Sequence, residues 1–257
     1  MKTVIVAIVL LAATTIAPAT YAKDDGEINI TAGIDGVSEY VFRGKSLGGN
    51  SIQPFAEVSA VGFSVGAWYS TGIGSDSNIQ ANEWNLYAGY AVPLKGPVSI
   101  GLGATYYYYP DNGSLFEINN GYTGSVELSG SVGLDDIFLS PSASLYYDIT
   151  LENLTAEASI GHSFDLPVDG WSTDLGLTTG HVEDNGPFDY RWTTATVALN
   201  TSFADNVDFY LSGNFTVNSE DYSLGFERVE VPNFDFAYGV TRDDTLFWAG
   251  TGISVSF

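Results

Sequence analysis

Cysteine is absent from the 257 residues, and basic residues are scarce, with 8 Lys and Arg against 31 Asp and Glu. The lack of cysteine excludes a fold held together by disulfides. The scarcity of positive charge argues against nucleic acid as a partner, because Lys and Arg supply the affinity for a phosphate backbone. Only 15% of the residues are charged, whereas 14% are aromatic and 29 are Gly. This composition is typical of a folded, acidic β protein and not of a disordered chain.

Long apolar runs are also absent beyond the first residues. Lys2 precedes an apolar run from Val4 to Ala13, and Thr20-Tyr21-Ala22 places small residues at both cleavage-determining positions. The run is too short for a spanning helix, which needs about 20 residues. The pattern predicts a secretory signal peptide over residues 1–22, cleaved after Ala22, and a mature domain over residues 23–257.

Hydrophobicity in the mature chain alternates with a period of two residues. In the segment 28–43, six of the eight even positions are apolar and only two of the odd ones are. The same alternation recurs in segments of about ten residues, separated alternately by short turns and longer loops, which is typical of transmembrane β-barrels. We therefore predict an all-β, antiparallel barrel in a bacterial outer membrane, with both termini on the periplasmic side. A soluble, exported β-sandwich would alternate too and is the main alternative. The barrel is preferred because the apolar face is aromatic at its rims and the opposite face includes Glu127 and Glu157 in strand centres.

Twelve strands are predicted, with bounds near 28–43, 53–60, 63–72, 83–92, 97–109, 121–133, 137–148, 154–164, 171–180, 190–203, 207–217 and 245–257. The long segment 218–244 leaves a count of fourteen open, because "YSLGFER" at 222–228 and "FDFAYGVT" at 234–241 also alternate. Either number is even and keeps the two termini on one side.

Aromatic residues cluster at the predicted strand ends, which predicts two girdles at the membrane boundaries. The set next to the outer loops is Phe42, Trp68, Tyr69, Trp84, Tyr106 to Tyr109, Tyr122, Tyr146, Tyr190, Trp192 and Trp248, and the set next to the periplasmic turns is Phe63, Trp171, Phe203, Phe209 and Phe257. A terminal aromatic after an alternating strand resembles the signal by which the barrel-assembly machinery recognises its clients. We therefore expect Phe257 to contact that machinery, and the outer surface to contact outer-membrane lipid and lipopolysaccharide.

Three stretches resemble the TorF-family porins: "VSEYVFRGKSLGGNSIQP" (Val37 to Pro54), "LSPSASLYYD" (Leu139 to Asp148) with "ASIGHSF" (Ala158 to Phe164), and the C-terminal Phe257. The first is the most specific, since an aromatic-rich strand that ends in Phe-Arg-Gly before a polar, Gly-rich loop is unusual. The resemblance implies an outer-membrane barrel, and it implies no catalytic, cofactor or metal residues.

The phase of the alternation predicts an acidic lumen with one internal cation. The predicted pore-lining residues are Asp35, Glu39, Arg43, Glu57, Glu83, Glu127, Glu157, Asp174 and Asp208. Carboxylates around a narrow aqueous path favour cations, so we expect passive diffusion of small solutes that are cationic or neutral. A barrel of roughly twelve strands lies between filled and open widths, which leaves open whether the lumen is plugged. The sequence does not indicate the oligomeric state.

Arg43 has two interpretations. At the rim beside Glu39 it could orient solutes, but a charge-assisted pair that holds the first strand to its neighbour is the preferred one.

Two other function classes compete with the porin. An outer-membrane lipid hydrolase would need a Ser–His site, and the chain offers only His162, in the lipid-facing phase, and His181, at the start of an outer loop. A non-conducting surface barrel would instead act through its acidic, Asn-rich outer loops. No calcium-loop motif supports a specific metal site.

Overall fold

The computed structural model describes residues 27–74, 82–118, 121–135, 137–185, 189–219 and 245–257. Within these ranges the chain is almost entirely β-strand. The strands are β1 Asn29–Val37, β2 Tyr40–Phe42, β3 Lys45–Gly48, β4 Ser51–Ala60, β5 Phe63–Gly72, β6 Asn82–Ala91, β7 Val98–Tyr108, β8 Gly124–Leu134, β9 Ser142–Asp148, β10 Asn153–Asp165, β11 Trp171–Glu183, β12 Tyr190–Ala204, β13 Val207–Asn218 and β14 Thr245–Ser256. Among the described residues, the one helical element is a 3-10 turn at Pro110–Asn112. No helix in these ranges is long and apolar enough to cross a membrane.

Twelve of the strands close into an antiparallel barrel. Strands β4 to β14 pair in sequence order, and β1 pairs with β4 on one side and with β14 on the other. The prediction of a twelve-stranded antiparallel barrel is confirmed. Strand β13 pairs directly with β14 over eleven positions from Val207↔Val255 to Val217↔Thr245. The segments 222–228 and 234–241 that suggested a further hairpin, like the predicted signal peptide at 1–22, lie outside the described residues.

The two faces of the wall follow the alternation in the sequence. Apolar side chains on the outer surface are exposed, as for Leu102 (56%), Val197 (52%) and Phe247 (74%). Polar side chains on the inner surface are enclosed by the barrel, as for Asn214 (2%) and Thr216 (0%). An exposed apolar exterior around a polar interior is the arrangement that a hydrocarbon solvent requires.

The two ends of the barrel differ in their connections. Asn29 and Phe257 lie at one end, called the terminal end here, together with short connections such as Val61-Gly62 and 205–206. At Val61 and Gly62 the backbone has positive φ (52° and 81°), which allows the two-residue turn of a tight hairpin. The connections at the opposite end, called the loop end, are mostly longer.

The first predicted strand, 28–43, is wrong in its second half. Strand β1 ends at Val37, where the chain leaves the barrel wall. Residues 38–50 then form a hairpin in which β2 pairs with β3 as a separate two-stranded sheet. Its turn has positive φ at Arg43 (48°) and Gly44 (77°). The period of two continues through the segment because β2 is itself a strand, so the alternation could not indicate that the chain departs from the barrel wall.

The seventh predicted strand, 137–148, is shorter than expected. Strand β9 begins only at Ser142. Just before it, Leu139 and Ser140 have positive φ (69° and 32°), and Pro141 has no N–H to donate to a ladder. The other predicted bounds agree with the structure to within three residues.

The pairing of β1 with β14 can be tested by cross-linking, because the chain has no cysteine of its own. Ile34 lies opposite Ile253 in this ladder, and both side chains are exposed on the outer surface (45% and 47%). Directly paired residues have Cα atoms about 5 Å apart, within the range for a disulfide. We expect Ile34→Cys with Ile253→Cys to cross-link in the folded barrel, measured by gel mobility after heating with and without reductant.

In the control variant the second cysteine is placed at Ile160 instead of Ile253. Ile160 is exposed and lies on the distant strand β10. The pair Ile34→Cys with Ile160→Cys should remain uncross-linked. Cross-linking of this control within one chain, or none in the paired variant, would contradict the closure.

Candidate functional site

The β2–β3 hairpin (residues 38–50) crosses the lumen. In the ring of twelve strands, β9 and β10 lie diametrically opposite β1 and β4, where the hairpin originates. Its tip nevertheless contacts side chains of β8, β9 and β10. The hairpin therefore spans the interior from one wall to the other.

Arg43 anchors the tip of the hairpin to the far wall. Its Nη1 and Nη2 donate to the two carboxylate oxygens of Glu127 on β8, at 2.7 and 2.8 Å. The Tyr107 hydroxyl donates to the same carboxylate at 3.1 Å. The guanidinium also lies over the rings of Phe42 and Tyr146, 4.7 and 4.4 Å from their centroids. A bidentate pair combined with cation–π contacts fixes both the position and the orientation of this group.

The Arg43–Glu127 pair is largely shielded from solvent, with side-chain exposures of 10% and 5%. Burial alone would lower the pKa of the Arg43 guanidinium, but the charge and hydrogen bonds of Glu127 together with the neighbouring Tyr107 and Tyr146 outweigh burial and hold that pKa above its ordinary value. Arg43 is therefore charged throughout the physiological range. The preferred interpretation of Arg43 as half of a structural ion pair agrees with this geometry, but the expected location was wrong, because the pair connects the hairpin to β8 and not β1 to its neighbour.

Other contacts hold the hairpin on one flank. The Tyr40 hydroxyl donates to Glu83 on β6 at 3.0 Å, and the Tyr40 ring packs against Trp68 on β5 with centroids 5.6 Å apart. Tyr40 is 2% exposed. At the base, the amide of Ser38 donates to the Ala249 carbonyl at 2.9 Å.

The opposite flank packs against β12 and β13. Gly44 lies so close to Trp192 that a Cβ at that position would overlap the indole, and the Asn218 side chain donates to the Gly44 carbonyl at 3.1 Å. The Lys45 ammonium lies 3.7 Å from the centroid of the Tyr190 ring. Taken with the contacts above and with the Phe42 ring, whose centroid is 6.1 Å from that of Tyr107 on β7, the contacts of the hairpin reach nine of the twelve barrel strands.

Several aromatic residues assigned to the outer girdle instead face the lumen around the hairpin. They are Tyr107 (7% exposed), Tyr146 (6%), Tyr190 (7%), Trp192 (3%) and Trp248 (3%). Each lies in the same strand phase as polar inward residues, such as Thr194 and Thr196 after Trp192. The odd or even position of each residue along its strand could have shown that its side chain points inward. Proximity to a strand end alone could not.

The structure brings together only some of the predicted pore-lining residues. Glu83, Glu127 and Glu157 lie around the hairpin, and Glu157 is close enough to Arg43 and Glu127 to interact electrostatically with both. Asp35 and Asp174 are buried inward residues elsewhere on the wall (3% exposed each).

The remaining predicted residues are more peripheral. Glu57 is half-buried, and the Tyr87 hydroxyl hydrogen-bonds to it. Asp208 is exposed near the terminal end, where Ser202 donates to it at 2.6 Å. Glu39 belongs to the hairpin segment and not to the wall.

Asp35 and Asp174 each take a hydrogen bond from an uncharged partner. Tyr210 donates to Asp35 Oδ1 at 3.0 Å, and Asn200 donates to Asp174 Oδ2 at 2.8 Å. The second oxygen of each carboxylate is buried and accepts no hydrogen bond from the described residues. These two oxygens are therefore buried acceptors without a partner among the described residues, which is unusual in a folded protein.

A cavity of about 200 Å³ lies at the loop end beside the hairpin. Its walls combine both charges with aromatic surface, and they include Arg43, Tyr109, Glu127, Asp148, Asp184 and Tyr190. In the part of the chain that the structure describes, no group of three His, Asp or Glu side chains is arranged to hold a metal ion.

The two histidines lie away from this cavity. The His162 ring packs against Phe138 and Phe164 on the outer surface, with centroids 5.0 and 4.6 Å away. His181 lies within β11, and its Nδ1 is 3.1 Å from the Tyr190 carbonyl oxygen. Among the described residues neither ring is hydrogen-bonded to a serine, so the geometry provides no Ser–His pair.

Solved structures with a similar fold include outer-membrane porins. The structure described as "KdgM porin" aligns with a TM-score of 0.53 at 11% identity, covering 89% of this chain and 99% of that one. The "NanC porin" aligns with a TM-score of 0.48 at 12% identity, covering 90% and 99%. The COG4313 outer-membrane channel from Pseudomonas putida F1 aligns with a TM-score of 0.48 at 8% identity, covering 90% and 96%. The alignment with the KdgM porin shows that this chain shares the barrel fold of that protein.

Sequence comparison adds a family. The family described as "Bacterial protein of unknown function (Gcw_chp)" matches residues 21–224, which is most of the chain. No curated protein matches the chain by sequence.

The anchoring role of Arg43 can be tested by limited proteolysis. Trypsin can cleave after Lys45 only when the hairpin opens. Loss of hydrogen bonds between charged groups costs about 2 kcal/mol, so we expect Arg43→Ala to increase the rate of cleavage at Lys45 roughly thirtyfold. The cleavage products are identified by mass spectrometry of the folded protein in detergent.

Arg191→Ala is the matched control, because Arg191 is exposed on β12 and its loss removes one positive charge away from the hairpin. This variant should be cleaved at Lys45 as slowly as the unmodified protein. Equal rates for Arg43→Ala and the unmodified protein would show that the ion pair does not hold the hairpin.

Proposed function

We propose that this chain, which belongs to the Gcw_chp family of bacterial proteins, is an outer-membrane porin that admits small solutes by passive diffusion and prefers cationic or neutral ones. The proposal includes the orientation predicted from the sequence, with the terminal end in the periplasm and the loop end outside. It also includes the assignment to the TorF-family porins, to which the motif between Val37 and Pro54 is similar. No catalytic step is proposed.

The observation that carries the proposal is the negative charge of the lumen. In the part of the chain that the structure describes, six inward carboxylates are buried inside the barrel: Asp35, Glu83, Glu127, Asp148, Glu157 and Asp174. Among the described residues, only Arg43 and Lys45 bring positive charge into the same space, and Arg43 is neutralised by Glu127. The remaining negative charge stabilises a passing cation and repels an anion.

The hairpin sets the size of the path. It fills the width of the lumen between β1 and β10 and packs against wall residues on both flanks. We therefore propose a narrow channel that passes ions and small molecules, not a wide general pore. Solutes would pass along the hairpin at the level of the Arg43–Glu127 pair, where the cavity of about 200 Å³ opens toward the loop end.

The cation preference is tested in planar bilayers with a KCl gradient. We expect a reversal potential of the sign that reports K⁺ permeation. In water, a cation about 8 Å from one carboxylate gains about 0.5 kcal/mol, so Asp174→Asn should lower the ratio of K⁺ to Cl⁻ permeability roughly twofold. The matched control is Asp169→Asn, which removes the same charge from an exposed turn at the terminal end. Anion preference in the unmodified protein would refute the proposal.

The narrowing by the hairpin is tested by single-channel conductance. We expect Arg43→Ala to conduct more than the unmodified protein, because the tip is no longer fixed to Glu127. Arg43→Lys keeps the charge but cannot form the bidentate pair, so its conductance should be intermediate.

A non-conducting surface barrel is the second candidate, and the contact of the hairpin with nine strands is the observation that favours it. Absence of channels in both the unmodified protein and Arg43→Ala, with folding verified by heat-modifiable gel mobility, would replace the porin with this alternative.

A further inference from the structure

Arg43 occupies a recognition site for a guanidinium group that the barrel wall itself provides. The wall contributes the Glu127 carboxylate, the Tyr107 hydroxyl bonded to it, and the Tyr146 ring 4.4 Å below the charge. The Thr155 hydroxyl lies 3.4 Å from Nη1. A carboxylate flanked by aromatic faces is the arrangement that binds planar or alkylammonium cations most effectively.

This site opens into the cavity beside the hairpin and is not sealed around the arginine. Glu127 and Arg43 both line that cavity, together with Asp148, which lies directly beside Glu127 on the neighbouring strand β9, Asp184 at the end of β11, and the rings of Tyr109 and Tyr190. Its volume of about 200 Å³ is several times the roughly 30 Å³ that a water molecule occupies in the liquid. The cavity is therefore large enough to hold a short organic cation beside these carboxylates.

The hairpin that holds Arg43 is attached to the barrel by polar and aromatic contacts, which are non-covalent and can break and form again. The Arg43 guanidinium is bound to Glu127 in an intramolecular complex, and an external cation of the same chemistry would compete for the same carboxylate. The apparent affinity for such a solute is then reduced by the fraction of molecules in which Arg43 already occupies the site.

We propose that the cavity between the hairpin and strands β8 to β12 is a binding subsite for solutes that carry a guanidinium or primary ammonium group, and that such solutes compete with Arg43 for Glu127. Arg43 acts in it as an internal competitor. This proposal rests on the cation preference proposed above and narrows it to a class of organic cations.

The test is equilibrium dialysis of the folded, detergent-solubilised protein with labelled agmatine, which carries a guanidinium at one end and an ammonium at the other. We expect weak, saturable binding to the unmodified protein. Arg43→Ala removes the competitor and should bind agmatine about tenfold more tightly. Butylurea keeps a planar donor group without the charge and should not compete with the label.

Glu127 is tested in the Arg43→Ala background, where no buried arginine is left without its partner. The double variant Arg43→Ala, Glu127→Gln should lose about tenfold in agmatine affinity, which is the weakening expected from the loss of one charge-assisted contact. Arg43→Ala with Asp169→Asn is the matched control, because it removes one carboxylate at the terminal end, and its affinity should equal that of Arg43→Ala. Heat-modifiable gel mobility verifies that each variant is folded.

The outcomes separate this proposal from the porin. Agmatine affinity that is unchanged or lower in Arg43→Ala would overturn the competition, as would binding that does not depend on Glu127. Cation-selective channels without saturable agmatine binding would overturn the subsite and leave the porin intact. Agmatine binding by a protein that forms no channels would retain the subsite and refute the porin.

Discussion

The absence of hydrogen-bonding partners in hydrocarbon is the constraint on which this structure depends. A strand in that solvent must satisfy its N–H and C=O groups with other strands, and a sheet with an open edge leaves a row of them unsatisfied. Pairing of β1 with β14 removes the edge and closes the ring. In the closed barrel each side chain points either toward lipid or toward the lumen. Apolar and polar residues alternate along the sequence accordingly.

The closed ring also leaves a wide lumen lined with carboxylates, which the hairpin partly fills. Twelve strands enclose more space than the inward side chains of the wall fill by themselves, and the carboxylates that face this space repel one another. The β2–β3 hairpin inserts apolar surface from Tyr40 and Val41, each 2% exposed, and a cation at its tip. A buried carboxylate such as Glu127 is costly without a partner, and Arg43 supplies that partner from the opposite side of the barrel. The same residues that stabilise the interior thereby define how much of the lumen stays open and how it is charged.

The sequence predicted the wall well because the wall is a local, periodic structure. Strands β5, β10 and β12 begin and end within a few residues of the predicted bounds, and the inward phase of Glu127, Glu157 and Asp174 is as expected. The errors occurred where periodicity carries no information about direction in space. Residues 40–42 alternate as a strand does, yet they belong to a hairpin in the lumen. Trp192 and Trp248 lie near strand ends, yet they face inward because of their phase.

From the sequence alone, it was determined that this chain forms strands with one oily and one acidic face, since successive side chains on a strand must point to opposite sides. The sequence likewise favoured twelve strands while leaving fourteen open, and it identified most inward carboxylates. Only the tertiary structure decided that Arg43 reaches Glu127, 84 positions away along the chain. That contact depends on where two distant strands lie around a closed ring, and an alternation of period two specifies the face of each residue but not its neighbour across the lumen.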